Sequence, residues 1–288
     1  MNYSIIIPHK NTPELLERCI QSIPQRSDLE VIVVDDNSTK SIGEENVPSM
    51  SRNDVKFIAN KESQGAGHSR NIALEHATGK WLLFADADDF FSEKLPMILQ
   101  RYESDETTDM VILNAKSIDD NNNIRDLSLN QYIDNYNKGR KHSKEVLCFG
   151  FWSPWSRMIK RSIVEHHDIK FEEIPVGNDM MFILNASRWA KNVKVETDVV
   201  YFYYKPAGGS ITSSYWNEKT KILRFESTLK LDQFYTEIGY PYKVPIWRAA
   251  KGLERSKISM LKKRYRYNKC SDYLNTIIYF YAKFKGIL

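Results

Sequence analysis

Cysteine is scarce in this chain: Cys19, Cys148 and Cys270 are the three among 288 residues. None stands in CxxC spacing, which argues against a structural zinc site and a disulfide framework and fits a reducing, cytoplasmic setting. Long apolar runs are missing as well. No segment approaches the roughly 18 uninterrupted apolar residues of a membrane span. The opening "MNYSIIIPHKN" has no basic leader before its short apolar stretch, so no signal peptide is expected. Internal repeats and low-complexity tracts are also lacking. The net charge of +4 is too slight to imply a nucleic-acid partner. What remains is a chain long enough to bury a large core without staples.

The first hundred or so residues alternate strand and helix signals in the α/β manner. "YSIII" reads as a buried strand stopped by Pro8, and "TPELLERCIQSI" as an amphipathic helix with Thr12 at its N-cap and Pro13 at its first position. "LEVIVVDD" is continuously apolar, as buried parallel strands are. "VKFIA" is a third strand. A helix is expected over Ala66 to Ala77, stopped by Gly79, and "KWLLFADADD" is the fourth strand. Further on come a helix at "EKLPMILQRYE", a strand at "TDMVILNA", a polar loop or hairpin at "KSIDDNNNIRDLSLNQ", a helix from Asp179 and two strands in "NVKVETDVVYFYYKP". "AGGSITSS" reads as a flexible loop, with helix from about Trp216. One soft boundary is expected near residue 215.

"FADADDFF" places three aspartates within four positions directly after a buried strand. Like charges at that density repel, and partial burial makes each costlier to ionise unless a cation is close. A hard divalent ion such as Mg²⁺ or Mn²⁺, sharing its ligands with a pyrophosphate, would resolve the conflict. A solvated turn in which one aspartate caps the next helix, near Ser92 or Glu93, is the plainer alternative. Open parallel sheets bind ligands outside the carboxyl ends of their strands. Both "DDNS" and "DADD" fall at such ends, and two acidic clusters at one sheet edge favour the metal and nucleotide reading.

Five separated motifs, "SIIIPHKN", "VIVVDDNST", "NKESQGAGHSRNIAL", "WLLFADADDFF" and "VGNDMMF", come in the order and approximate spacing of the family 2 glycosyltransferases. From Tyr3 to roughly Ser214 the chain resembles that family. The resemblance implies an α/β fold of GT-A type: a Rossmann-like nucleotide-binding sheet with an acceptor subdomain. Residues 1–215 would form the glycosyltransferase domain, 1–115 its nucleotide-sugar half and 116–215 its acceptor half. Residues 216–288, which match no motif of the family, would be a mainly α-helical C-terminal extension.

The resemblance also implies roles. Asp36 is similar in position to the aspartate that accepts from the uracil N3 of a UDP-sugar, a task suited to an acceptor-only carboxylate. Pro8, His9 and Asn11 would line the base and ribose pocket, and Asp35 would hold the loop. Arg70 resembles the family's basic residue near the nucleotide, with Gly65 and Gly67 letting the backbone come close. Asp86 and Asp88 form the DxD pair at the donor; one aspartate of the turn would reach the ribose hydroxyls or a water of the metal shell and another the metal itself, and the resemblance leaves open which of Asp86, Asp88 and Asp89 is the direct ligand. Asp88 and Asp89 are the implied metal ligands for Mn²⁺ or Mg²⁺. Asp179 resembles the catalytic base, although Asn178 stands where relatives often carry a second acid, and helix capping is an alternative for it. Trp152 and Trp155 resemble the acceptor side, where indoles stack on sugars, with core packing as the alternative.

The function implied is metal-dependent, inverting transfer of a hexosyl or N-acetylhexosaminyl group from a UDP-sugar to a hydroxyl of a glycan acceptor. Surface polysaccharide synthesis of bacterial capsule or lipopolysaccharide type, on a lipid-linked acceptor, is the setting. From Lys251 onward many Lys and Arg mix with Tyr, Phe, Ile and Leu. That blend suits peripheral contact with the inner face of the cytoplasmic membrane, or an ordinary helix with a solvated basic face. A GDP- or dTDP-sugar donor and a catalytically silent binding module are the rival readings. Donor sugar, acceptor, linkage and oligomeric state depend on pocket and surface shape, which motif spacing does not report.

Overall fold

The structure is a computed structural model that describes residues 1–39, 42–43, 45–206, 217–242, 246–250, 253–254, 257–258 and 261. The expected Gly/Ser loop and nearly all of the basic aromatic tail lie outside the described residues. By its contacts the chain divides into two units, Met1–Glu173 with Asn178–Gly208, and Ile174–Gly177 with Gly209–Leu288.

In the first unit four short apolar segments form β1 (Tyr3–His9), β2 (Leu29–Asp35), β3 (Val55–Ala59) and β4 (Trp81–Phe84). They pair in parallel in the order β3-β2-β1-β4. β1 is buried along its whole length, because helices cover both faces of a parallel sheet. It does not stop at Pro8. Its pairing with β4 ends at Ile6, whereas its pairing with β2 continues to His9. The Ile6 carbonyl accepts from Ala85 N–H on the β4 side, so the proline nitrogen, two residues on, faces the side where that ladder has ended and no donor is needed.

The connecting helices are α1 (Pro13–Gln21) and α2 (Ala66–His76). Thr12 sits at the N-cap of α1 but its side chain does not cap. Gly65 opens α2 with a φ of +90°, a conformation that favours glycine. A Cβ on Gly67 would lie 2.2 Å from the Glu172 carbonyl oxygen, so this glycine lets α2 pack against residue 172.

Beyond β4 follow β5 (Phe90–Phe91), α3 (Leu95–Tyr102), β6 (Met110–Asp119), β7 (Ile124–Asp126), α4 (Ser128–Asn137), α5 (Ser143–Phe149), β8 (Arg157–Lys160), α6 (Arg161–His166), α7 (Met180–Trp189) and β9 (Val193–Lys205). Among the described residues they extend the sheet to nine strands, β3-β2-β1-β4-β8-β6-β9-β5, with β7 on β6. The two strands expected in "NVKVETDVVYFYYKP" are one strand. Its polar middle is held by burying Glu196, bonded to Arg101 and to Tyr102 Oη at 2.6 Å, and by register shifts against β6 around Asn114. The hairpin alternative for residues 116–131 holds as far as β6 and β7; the rest of that segment enters α4, whose Leu127 N–H donates to Asn130 Oδ1 at 2.6 Å.

In the second unit α8 (Glu218–Glu237) begins at Asn217, whose side chain accepts from Thr220 N–H. Phe225 and Leu229 of α8 bury against Ile246 and Leu261.

Candidate functional site

In the order β3-β2-β1-β4 the chain direction of growth reverses between β1 and β4, which opens a crevice at their carboxyl ends. The segments after β1, β2 and β4 meet that edge, and they carry Asn11, Asp36 and the acidic turn. His9 is buried. Its Nε2 accepts from Thr12 N–H at 3.0 Å, so the proton sits on Nδ1, which donates to Asp35 Oδ1 at 2.8 Å. With both nitrogens engaged, the ring fixes the loop. Asp35 also accepts from Ser38 N–H and Oγ–H. Burial pushes its carboxyl up, and the bonds from His9 and Ser38 outweigh that and hold it low. Asn11 has a φ of +58° and ties the loops after β1 and β2, donating to Ser38 Oγ and accepting from Thr39 N–H.

Asp36 is buried as well. Its oxygens accept from Ser63 Oγ at 2.7 Å and from the N–H groups of Gln64 and Gly65 at 2.8 and 3.1 Å, with Lys10 Nζ at 3.5 Å. Burial raises its carboxyl, but these donors and Lys10 bring it below the ordinary range. Asp36 is therefore an anchored, ionised acceptor at the end of β2.

The three aspartates of the turn have three different environments. Asp86 faces Arg70, with Nη2 to Oδ1 at 2.5 Å. Asp88 is pushed up to about 6 by burial first and by the Asp86 charge second, with only Arg18 and its own backbone opposing. Asp89 is fully buried. Tyr201 Oη–H donates to its Oδ2 at 2.8 Å and Tyr204 N–H to its Oδ1 at 2.7 Å. Both oxygens of Asp89, expected beside Asp88 at the metal, are turned inward onto β9. None of the three caps α3, whose N-cap is Lys94, so the plainer reading of the cluster fails too.

Residues that the sequence did not single out hold this turn. Tyr201 accepts from Asp86 N–H at 2.9 Å while donating to Asp89. Arg18, on α1, donates to the Asp88 carbonyl at 2.6 Å and lays its guanidinium over Phe90 and Tyr204, at 4.8 and 4.5 Å from the ring centres. No sequence signal marks Tyr201, because its partners lie more than a hundred residues away.

Arg70, buried on α2, links two regions: besides Asp86 it donates to Asn178 Oδ1 at 3.1 Å. Asp179 occupies the N-cap position of α7 without a side-chain capping hydrogen bond. Burial raises its carboxyl, and Arg70 partly opposes that. The tryptophans separate. Trp155 is 6% exposed and stacks on Tyr201 and Tyr203, with ring planes 7° and 15° apart, the core packing that the sequence offered as the alternative to an acceptor sugar. Trp152 is half-buried, its Nε1–H bonded to the Phe149 carbonyl at 2.6 Å.

No cluster of three or more His, Cys, Asp or Glu side chains that could hold a metal occurs among the described residues. Asp88 with Asp86 nevertheless fits a hard divalent ion. A buried carboxyl raised by its acidic neighbour gains from a cation, and Mg²⁺-type sites commonly take one or two carboxylates and draw their other oxygens from phosphate and water.

The family model for glycosyl transferase family 2 matches residues 4–167, more than half of the chain. The chain belongs to glycosyl transferase family 2. Among curated relatives it is 28% identical over 211 residues to the poly(ribitol-phosphate) beta-glucosyltransferase of Bacillus spizizenii, a match covering 70% of this chain and 32% of that protein. Matches to this and two further relatives span between 32% and 60% of the relatives' own lengths. Among solved structures, S. aureus TarS 1–349 in complex with UDP-GlcNAc superposes with a TM-score of 0.66 at 20% identity, covering 91% of this chain and 71% of that one. The mannosyltransferase PcManGT from Pyrobaculum calidifontis, in complex with GDP-Man and Mn²⁺, superposes with a TM-score of 0.53 at 19% identity over 99% and 87%. The fold of this family member is thus GT-A.

Proposed function

We propose that this family 2 member transfers a hexosyl or N-acetylhexosaminyl group from a UDP-sugar to a hydroxyl of a glycan acceptor in bacterial surface polysaccharide synthesis. The observation that carries the reading is the meeting of two acidic clusters at the carboxyl ends of β2 and β4: Asp36 anchored by Ser63, Gln64, Gly65 and Lys10, and the turn of Asp86 and Asp88 tied to Arg70. The donors on Asp36 fix the loop ends at the nucleoside side, and two neighbouring carboxylates suit a metal diphosphate.

In this reading Pro8, His9, Asn11 and Asp36 shape the nucleoside pocket, and Arg70 keeps Asp86 in place at the diphosphate end. Asp88 and Asp86 would hold Mn²⁺ or Mg²⁺, which supplies Lewis-acid stabilisation of the charge on departing UDP. Asp179 takes the proton of the acceptor hydroxyl as that oxygen bonds to the anomeric carbon. The bond from that carbon to the phosphate oxygen breaks on the opposite face, so the configuration inverts. Burial raises the Asp179 carboxyl and so strengthens it as a base, while Arg70 keeps it ionisable. Trp152 serves the acceptor side.

The division into a transferase domain of residues 1–215 and a C-terminal extension belongs to the same proposal, as does a lipid-linked acceptor reached through the basic residues after Lys251. Among the described residues no helix is long and apolar enough to cross a membrane. The test is UDP release from UDP-glucose and UDP-N-acetylglucosamine in the presence of Mn²⁺ and a panel of glycan and polyol-phosphate acceptors, with the product's anomeric configuration read by NMR. Acceptor-dependent release with inversion supports the reading. Donor binding with no turnover on any acceptor supports the silent binding module instead, and release confined to GDP- or dTDP-sugars moves the donor class.

A further inference from the structure

The acidic turn is gripped from behind by residues with no surface of their own to offer a ligand. Tyr201 is fully buried and its hydroxyl has two partners on the turn, the Asp86 N–H at 2.9 Å and Asp89 Oδ2 at 2.8 Å. Asp89 uses its other oxygen on Tyr204 N–H at 2.7 Å. Trp155 stacks flat on the Tyr201 ring, 5.2 Å between centres, and Phe91 meets it edge-on at 5.1 Å. Such packing leaves the phenol one position. The result is a closed chain from β9 through Tyr201 to Asp86, and through Asp89 back to β9, with Asp88 carried between the two anchored residues.

We propose that Tyr201 and Asp89 are positioning residues for the metal pair: they fix the backbone of the turn so that the Asp86 and Asp88 carboxylates stay together against their mutual repulsion. The inference rests on the reading of Asp88 and Asp86 as the metal-holding pair and deepens it. Two carboxylates two residues apart on one turn repel each other, and a turn free to relax would separate them. Removing the Tyr201 hydroxyl leaves the Asp86 N–H and one Asp89 oxygen without partners in a dry site, and the turn recovers those bonds only by moving. Residues that orient metal ligands from behind commonly matter by 10- to 100-fold in affinity.

The experiment is Mn²⁺ titration of the full chain in saturating UDP, by calorimetry and by the electron paramagnetic resonance signal of free Mn²⁺, for wild type, Tyr201→Phe, Asp89→Asn and Asp88→Asn. Circular dichroism melts in EDTA report the fold of each. The expected result is Mn²⁺ affinity about tenfold weaker in Tyr201→Phe, with metal-free UDP affinity changed less than twofold, and complete loss of Mn²⁺ binding in Asp88→Asn. Asp89→Asn, which keeps the shape and one acceptor oxygen, weakens Mn²⁺ by a similar factor and remains measurable if Tyr201→Phe does not fold. A direct ligand role for Asp89 predicts the reverse pattern: Tyr201→Phe unchanged or tighter, and Asp89→Asn as damaged as Asp88→Asn. That pattern overturns the inference while the metal site at this turn stands. Absence of Mn²⁺ binding in wild type overturns both.

Discussion

Replacing Asp88 by asparagine makes the metal-free protein more stable while abolishing metal-dependent donor binding. Burial and the neighbouring Asp86 charge move the Asp88 carboxyl from 3.8 to about 6. A pKa difference of one corresponds to about 1.36 kcal/mol, so ionising this group is about 3 kcal/mol harder in the folded protein than in the unfolded chain. The sign follows from linkage: the folded value lies above the unfolded one, so the native state loses stability as pH rises from about 4 through about 6. Asparagine removes that loss. The expected gain is up to about 3 kcal/mol at pH 7.5, roughly 5–10 °C in melting temperature for a chain of this size, and close to zero at pH 4. Thermal melts of wild type and variant in EDTA at the two pH values measure it directly. A variant no more stable than wild type at pH 7.5, or one whose gain is the same at pH 4, would refute the idea that an uncompensated carboxylate is stored at this turn.

Asp179→Asn keeps UDP-sugar affinity within about twofold and lowers kcat by about 10²- to 10⁴-fold, the range of a lost general base; steady-state kinetics with a fixed acceptor separate the two. Transfer falls as pH drops through about 6, because protonated Asp88 no longer offers a metal ligand, and raising Mn²⁺ tenfold shifts that limb to lower pH; a pH profile at two metal concentrations checks this. Arg70→Met leaves the Asp86 carboxylate and the Asn178 carbonyl without their shared donor and costs about 1–3 kcal/mol of stability together with donor affinity, both readable by denaturation and calorimetry. Trp155→Ala destabilises by about 3–5 kcal/mol, as for other buried aromatics, whereas Trp152→Ala acts on the acceptor KM.

The strands β1, β2 and β4 were legible because continuous apolar runs bounded by turn residues leave few alternatives to the interior of a parallel sheet, with the largely exposed β3 at its edge. Once their ends were placed, Asp36 and the acidic turn followed. Asp89 was not legible. Its neighbours in sequence are Asp88 and Phe90, and nothing there says that it turns inward to Tyr201, 112 residues later. Nor does a tryptophan's spacing tell whether its face meets a sugar or, as at Trp155, the Tyr201 ring. In β9 the polar run Glu196-Thr197-Asp198 lies in the middle of a strand, where Arg101 and Tyr102 bond to Glu196. Local pattern reported the sheet and its acidic edge; the partners that sort one carboxylate from the next are contributed by distant segments.

The most direct test of the central claim is calorimetric titration of the full chain with UDP, GDP and dTDP, each in Mn²⁺ and again in EDTA. The account predicts that UDP binds tightest, that Mn²⁺ strengthens it at least tenfold, and that Asp88→Asn abolishes the strengthening while metal-free binding persists. UDP binding that is indifferent to Mn²⁺, or a Mn²⁺ effect that survives Asp88→Asn, would contradict it.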